Sequence, residues 1–350
     1  MSSLVATISR RFLTAAICSV LSAGFLLSFA GCGNSSADAE PASDLKTDKF
    51  RFYYRVTINE LEPGKKARVW LPIAQVSHAQ EVELGEIDVP GDHEIHEEEE
   101  YGNKVIYFEA IANDRGEIPV NVTYEVTRKE LTAETGAKVV EAELDKYLAP
   151  SRLVPVGDEL LARVVGETRP EGNSREVAGQ LYDAVYERMQ YGKPEGQPVG
   201  KNWGRGDATY ACDVKVGNCT DFHSLFISMC RTLKLPAKFE IGFMLPPDKQ
   251  SGDVAGYHCW AKFASDGRWI PVDISEADKD KTLKEYYFGS LTPNRVTFTT
   301  GRDLALEPSP ANEAVNFFVY PYVEVDGEQH TPLTKHFRFE RIEKSQDDAA

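Results

Sequence analysis

GNCTDFHSLFISMCRTL, residues Gly217 to Leu233, decides how the rest of this chain is read. Phe222, Phe226, Met229 and Leu233 recur at steps of four, three and four, with Leu225 beside them, which predicts a helix that buries one side. Cys219 lies one step ahead of Phe222 and opens the same stripe. Gly217 lets the chain turn sharply and Asn218 is an N-cap candidate. Cys219 then falls in the first turn, where backbone N–H groups have no intrahelical partner. A helix N-terminus lowers a cysteine pKa from about 8.5, so the position favours a thiolate. Asp221 would oppose this if it pointed at the sulfur. A cysteine in such a place can also simply pack, and the decision rests on residues further along.

Tyr257 to Phe263 (YHCWAKF) and Arg268 to Ile274 (RWIPVDI) are short, aromatic and β-branched runs joined by Ala264-Ser265-Asp266-Gly267, which predicts a β-hairpin. A four-residue loop sets His258 directly opposite Asp273. A two-residue Asp266-Gly267 turn makes them diagonal neighbours on one face, and either register lets the carboxylate reach the imidazole, whereas a three-residue loop without a bulge would put them on opposite faces. A cysteine on a helix, a histidine that takes its proton and an aspartate that fixes the tautomer form an acyl-transfer triad in its Cys-His-Asp version.

The order Cys219, His258, Asp273 resembles the transglutaminase-like superfamily. The motifs are Gly217-Asn218-Cys219 opening the core helix, His258-Cys259-Trp260 on one strand and Val272-Asp273 on the next, with Leu235-Pro236-Ala237 after the helix. Phe288-Gly289, Asn294-Arg295 and Gly301-Arg302-Asp303 are similar to stretches that follow in bacterial members. The likeness runs from about residue 150 to 305. It implies a papain-like core and a cysteine acyl-enzyme, with Cys219 as nucleophile, His258 as base and Asp273 as orienting carboxylate, and it names no substrate. It also implies an oxyanion site built from the Cys219 backbone N–H and an upstream donor, for which Trp203 is the candidate. Calcium enters only through the family likeness, and the sequence has no EF-hand loop.

With 350 residues, about two domains are expected. The 55 Asp and Glu against 39 Lys and Arg argue against a nucleic-acid partner, which would need a basic face. Arg10 and Arg11 precede an apolar run from Phe12 to Ala30, which meets small residues and Cys32; this predicts a secretory signal over residues 1–31. Phe29-Ala30-Gly31-Cys32 resembles the bacterial lipobox, so Cys32 is the expected lipidation site and residues 32–47 a flexible tether; an uncleaved membrane helix is the alternative. The expected location is an exported one, anchored to the cell or outer membrane and facing the periplasm or exterior. Of the six cysteines, Cys212, Cys219, Cys230 and Cys259 remain. Cys219 and Cys230 sit about three turns apart on one helix and cannot bridge. Cys212 and Cys259 can pair or stay free.

Runs at Phe50–Ile58, Ala67–Leu71, Glu81–Val89, Lys104–Ala110 and Val120–Thr127 are separated by turn residues and predict a β-sandwich over residues 48–130. His93, His96 and Glu97 to Glu100 fall between two of these runs and read as a solvated loop rather than a metal site. Val156–Val165 and Val177–Tyr191 predict helices, the second capped by Asn173 or Ser174. Val315–Val325 and His336–Ile342 predict a hairpin that either closes the core sheet or returns to the sandwich; residues 343–350 read as a disordered tail. The expected fold is α+β: an N-terminal antiparallel β-sandwich followed by a transglutaminase-like catalytic domain over residues 140–342. The expected function is hydrolysis of a peptide, isopeptide or carboxamide bond in a peptide, protein or cell-wall peptide, with no cofactor or metal. The alternative is an inactive surface lipoprotein that uses the cleft and sandwich to bind a partner.

Overall fold

Alternating side chains on the first strand set the architecture. In Thr47–Ile58 the residues Phe50, Phe52, Tyr54, Val56 and Ile58 point inward while their neighbours are solvated or half-buried, the period-2 pattern of a sheet with one wet face. The computed structural model describes residues 45–196, 202–311 and 314–342. The signal segment 1–31, Cys32, most of the tether and the 343–350 tail lie outside the described residues.

Two five-stranded antiparallel sheets form the β-rich part. One runs Ser251–Val254, Leu333–Arg341, Thr47–Ile58, Ile118–Lys129, Gln80–Asp88; the other Glu328–Gln329, Tyr322–Val325, Lys66–Pro72, Lys104–Ile111, His93–Glu97. All five expected strands are present. His93–Glu97 is a further strand, paired with Lys104–Ile111 through Ile95 and Ile106. Its charged side chains hid it, because an edge strand carrying exposed His and Glu has no apolar alternation to read.

The C-terminal strands return to the sandwich. Leu333–Arg341 pairs along Thr47–Ile58, and Tyr322–Val325 pairs with Lys66–Pro72. A catalytic domain running to residue 342 is therefore corrected: 322–341 complete the sandwich sheets, and Ser251–Val254 from the middle of the chain joins them. The two parts share a core. Phe52 and Tyr54 of the sandwich meet Phe243 and Phe298 of a four-stranded sheet, with ring centroids 5.0 Å apart for Phe52–Phe243 and 5.6 Å for Tyr54–Phe298. Aromatic contacts of this kind weld one continuous core.

The four-stranded sheet is antiparallel, in the order Arg268–Val272, Tyr257–Ser265, Ala237–Met244, Arg295–Thr300. The helix Cys219–Thr232 packs against its strands and against the helices Glu159–Thr168, Ser174–Arg188 and Ala208–Val214. This helix is buried on every side from Cys219 to Arg231, whereas the spacing predicts one buried face. Its polar face is hidden because each group finds a partner: Ser224 accepts from Arg302, Ser228 donates to the Pro155 carbonyl, and Arg231 donates to the carbonyls of Ala237 and Ala149.

Candidate active site

Asn218 caps the core helix as its sequence predicts, its side chain accepting from the Thr220 amide at 3.0 Å. Asp221 completes the capping box, but its carboxylate turns away from the sulfur and accepts from the backbone N–H groups of Asn218, Gly204 and Gly206. It thereby fastens residues 204–206 onto the helix start. Gly217 is required here by space rather than by a sharp turn, since a Cβ on it would lie 2.5 Å from the Asp221 Cβ. Burial raises the Asp221 carboxyl to about 6, the three amides working against that rise.

The hairpin takes the two-residue turn. Ser265 pairs with Arg268 and Ala261 with Val272, and Asp266 and Gly267 both have positive φ, as a type I′ turn demands. His258 and Asp273 become diagonal neighbours, with His258 Nε2 2.7 Å from Asp273 Oδ2. The remaining ring nitrogen, Nδ1, is left for the thiol. Cys219 neighbours both the His258 ring and the Cys259 thiol, and the three groups shift one another's ionisation. The structure thus brings Cys219, His258 and Asp273 together, and all three are buried, Cys219 being 3% exposed.

Electrostatics favour the ion pair. Burial alone would raise the Cys219 thiol, but hydrogen bonds from Cys259 and His258 and the charge of His258 hold it well below the ordinary thiol range. Burial would lower His258, yet the charge and hydrogen bond of Asp273 lift it to about 9. Burial would likewise raise Asp273, and His258 and Arg295 keep it far down. The directions of the three shifts favour a thiolate beside an imidazolium beside a carboxylate.

Arg295 is the group that residue patterns did not single out. Its Nη1 lies 2.6 Å from Asp273 Oδ2, with both side chains fully buried. Its guanidinium carbon stands 5.3 Å from the centre of the Trp260 ring, whose indole N–H donates to Glu240 at 2.8 Å. This explains why tryptophan follows two residues after the histidine: its face supports the arginine that steadies the aspartate. Asn294-Arg295 carries only a likeness in the sequence, and no local signal marks an arginine as buried. Asp273 also caps the next helix, Ile274–Lys279, by accepting from Ser275 Oγ and the Glu276 amide. Beside it Glu276 comes within 3.9 Å of His258 Nε2 and pairs with Lys279 at 2.6 Å.

Trp203 does not serve as the expected oxyanion donor. Its indole N–H donates to the Gly192 carbonyl at 2.8 Å, so its one side-chain donor is spent holding the approach loop. The Cys219 amide is the first of its helix, where no intrahelical acceptor is available to it. Cys212, Cys219, Cys230 and Cys259 are all free thiols, so the Cys212–Cys259 pairing does not form.

Residues 160–274 match the family model described as the transglutaminase-like superfamily, a span that takes in Cys219, His258 and Asp273. The chain carries a transglutaminase-like domain. An uncharacterized protein of Haemophilus influenzae is 29% identical over 163 residues, 37% of this chain and 44% of that protein, so the chain spans less than half the length of this curated relative. A solved candidate cysteine protease from Cytophaga hutchinsonii is 16% identical, with a TM-score of 0.58 over 86% of this chain and 92% of its own. That likeness is one of fold, and it extends beyond the transglutaminase-like domain to most of the described residues.

Proposed function

We propose that the protein is a cysteine-dependent acyl-transfer enzyme that hydrolyses a peptide, isopeptide or carboxamide bond. The observation that carries this reading is the His258 ring, held at 2.7 Å by Asp273 through Nε2 and lying beside the buried Cys219, whose thiol it holds down. The Cys219 thiolate attacks the carbonyl carbon, and the oxygen gains negative charge next to the Cys219 N–H. The tetrahedral species collapses as the amine or ammonia leaves with the proton that His258 carried, giving a thioester on Cys219. Water attacks the thioester, His258 takes its proton, the acid departs and the thiolate is restored. Nothing among these residues marks a second amine, which favours water as acceptor. The substrate class is a peptide, protein or cell-wall peptide. The export signal and lipobox point to a lipid-anchored protein acting at the periplasmic or outer face of a membrane.

Trapping tests the chemistry. A panel of peptides, isopeptides and carboxamides incubated with the wild type is expected to leave an acyl mass on the peptide containing Cys219, with release of amine or ammonia. An acyl mass confined to Cys212, Cys230 or Cys259 would contradict the reading. The pH dependence follows from His258: its proton is needed by the leaving group, so turnover falls as pH rises through about 9. On the acid side it is lost only below the depressed Cys219 value. A rate profile checks both limbs.

A further inference from the structure

We propose that His223 is a positioning residue for the nucleophile, its ring tying the peptide of Cys219 to the amide that follows Asp273 and thereby fixing the distance from the thiol to the His258–Asp273 pair. The proposal rests on the acyl-transfer reading. His223 lies four residues after Cys219 on the same helix, and helical side chains lean back over the preceding turn. Its Nδ1 is 2.7 Å from the Cys219 carbonyl oxygen. Its Nε2 is 3.0 Å from the Ile274 amide, the first residue after Asp273.

The two partners fix the tautomer. An amide N–H can only donate, so Nε2 accepts and the proton sits on Nδ1, which donates to the Cys219 carbonyl. The ring is fully buried and neutral; burial pushes it below its ordinary value against the pull of Asp273, whose Oδ1 is 3.7 Å away. Cys259 Sγ lies 3.7 Å from Nδ1 and completes the polar surroundings. A side chain that only filled volume would need none of these bonds, and burying an imidazole in a core is costly unless both nitrogens are satisfied. Here both bonds run to backbone atoms flanking two members of the triad. One link therefore spans the helix that carries the sulfur and the turn that carries the carboxylate.

The test reads the thiol rather than turnover. Iodoacetamide alkylation of Cys219 is followed against pH by mass spectrometry in the wild type, His223→Phe, His223→Gln and His223→Asn, with Cys230→Ala as a buried control on the same helix. His223→Phe keeps the volume and loses both bonds; its acid limb is expected to rise by about one pH unit, about tenfold less reaction at a pH below the limb. His223→Gln can offer an N–H and a carbonyl oxygen and is expected to restore most of the shift. Cys230→Ala is expected to lower the melting temperature and leave the limb in place. If His223→Phe does not fold, His223→Asn, which keeps only the donor at the Nδ1 position, is read instead and is expected to raise the limb. A limb that stays put in the folded variant, or that moves as far in His223→Gln as in His223→Phe, overturns the proposal. A wild type with no depressed limb would instead sink the acyl-transfer reading itself.

Discussion

Turnover by Cys219→Ala is expected to fall by about six orders of magnitude, to the level of the uncatalysed reaction aided only by binding. Every covalent step passes through that sulfur, and no neighbour replaces it. Cys259 is the nearest thiol, but burial raises it well above the ordinary value, and its contact with the Cys219 thiolate raises it further. That raised value makes it a poor substitute nucleophile. Cys212 and Cys230 are also raised by burial. The loss should appear in kcat, because the change removes the nucleophile. Residual turnover within tenfold of the wild type would place the chemistry elsewhere.

Asp273→Asn has the second largest expected effect, and it acts on two quantities. Turnover should drop by about three to four orders of magnitude, since an amide in that position no longer holds the His258 tautomer or stabilises the imidazolium. Folding stability should fall by about 3 kcal/mol, because the Arg295 guanidinium, fully buried, loses its counter-charge. The two effects separate in a double variant. Asp273→Asn combined with Arg295→Met removes the stranded charge and should recover part of the stability while leaving turnover low. Denaturant midpoints and kcat measured on the same preparations check both. A double variant no more stable than the single one would mean that Arg295 is not balanced by Asp273.

Much of the site was legible because its parts are local. Asn218 announces a helix start by residue type, and Ala264-Ser265-Asp266-Gly267 announces a hairpin whose register stayed open until the structure showed the two-residue turn. Those local features place the sulfur, the ring and the carboxylate within reach of one another. The remainder depends on pairings between distant segments, which leave no periodic trace. Arg295 reaches Asp273 only because its strand lies beside Ala237–Met244, and Trp203 is turned aside by the Gly192 carbonyl. Leu333–Arg341 pairing with Thr47–Ile58 joins strands from opposite ends of the chain, and alternation alone does not name the partner. The core helix looked one-sided because its buried polar face has its partners in other elements, such as Arg302 for Ser224.

The most direct test is the pH dependence of iodoacetamide alkylation at Cys219 in the wild type and in His258→Ala. With the imidazolium present, the thiol is expected to react rapidly far below the ordinary thiol range, and His258→Ala should move the acid limb up toward about 8.5. If the two proteins share one limb near that ordinary value, the sulfur is not paired with the ring, and a binding role replaces acyl transfer.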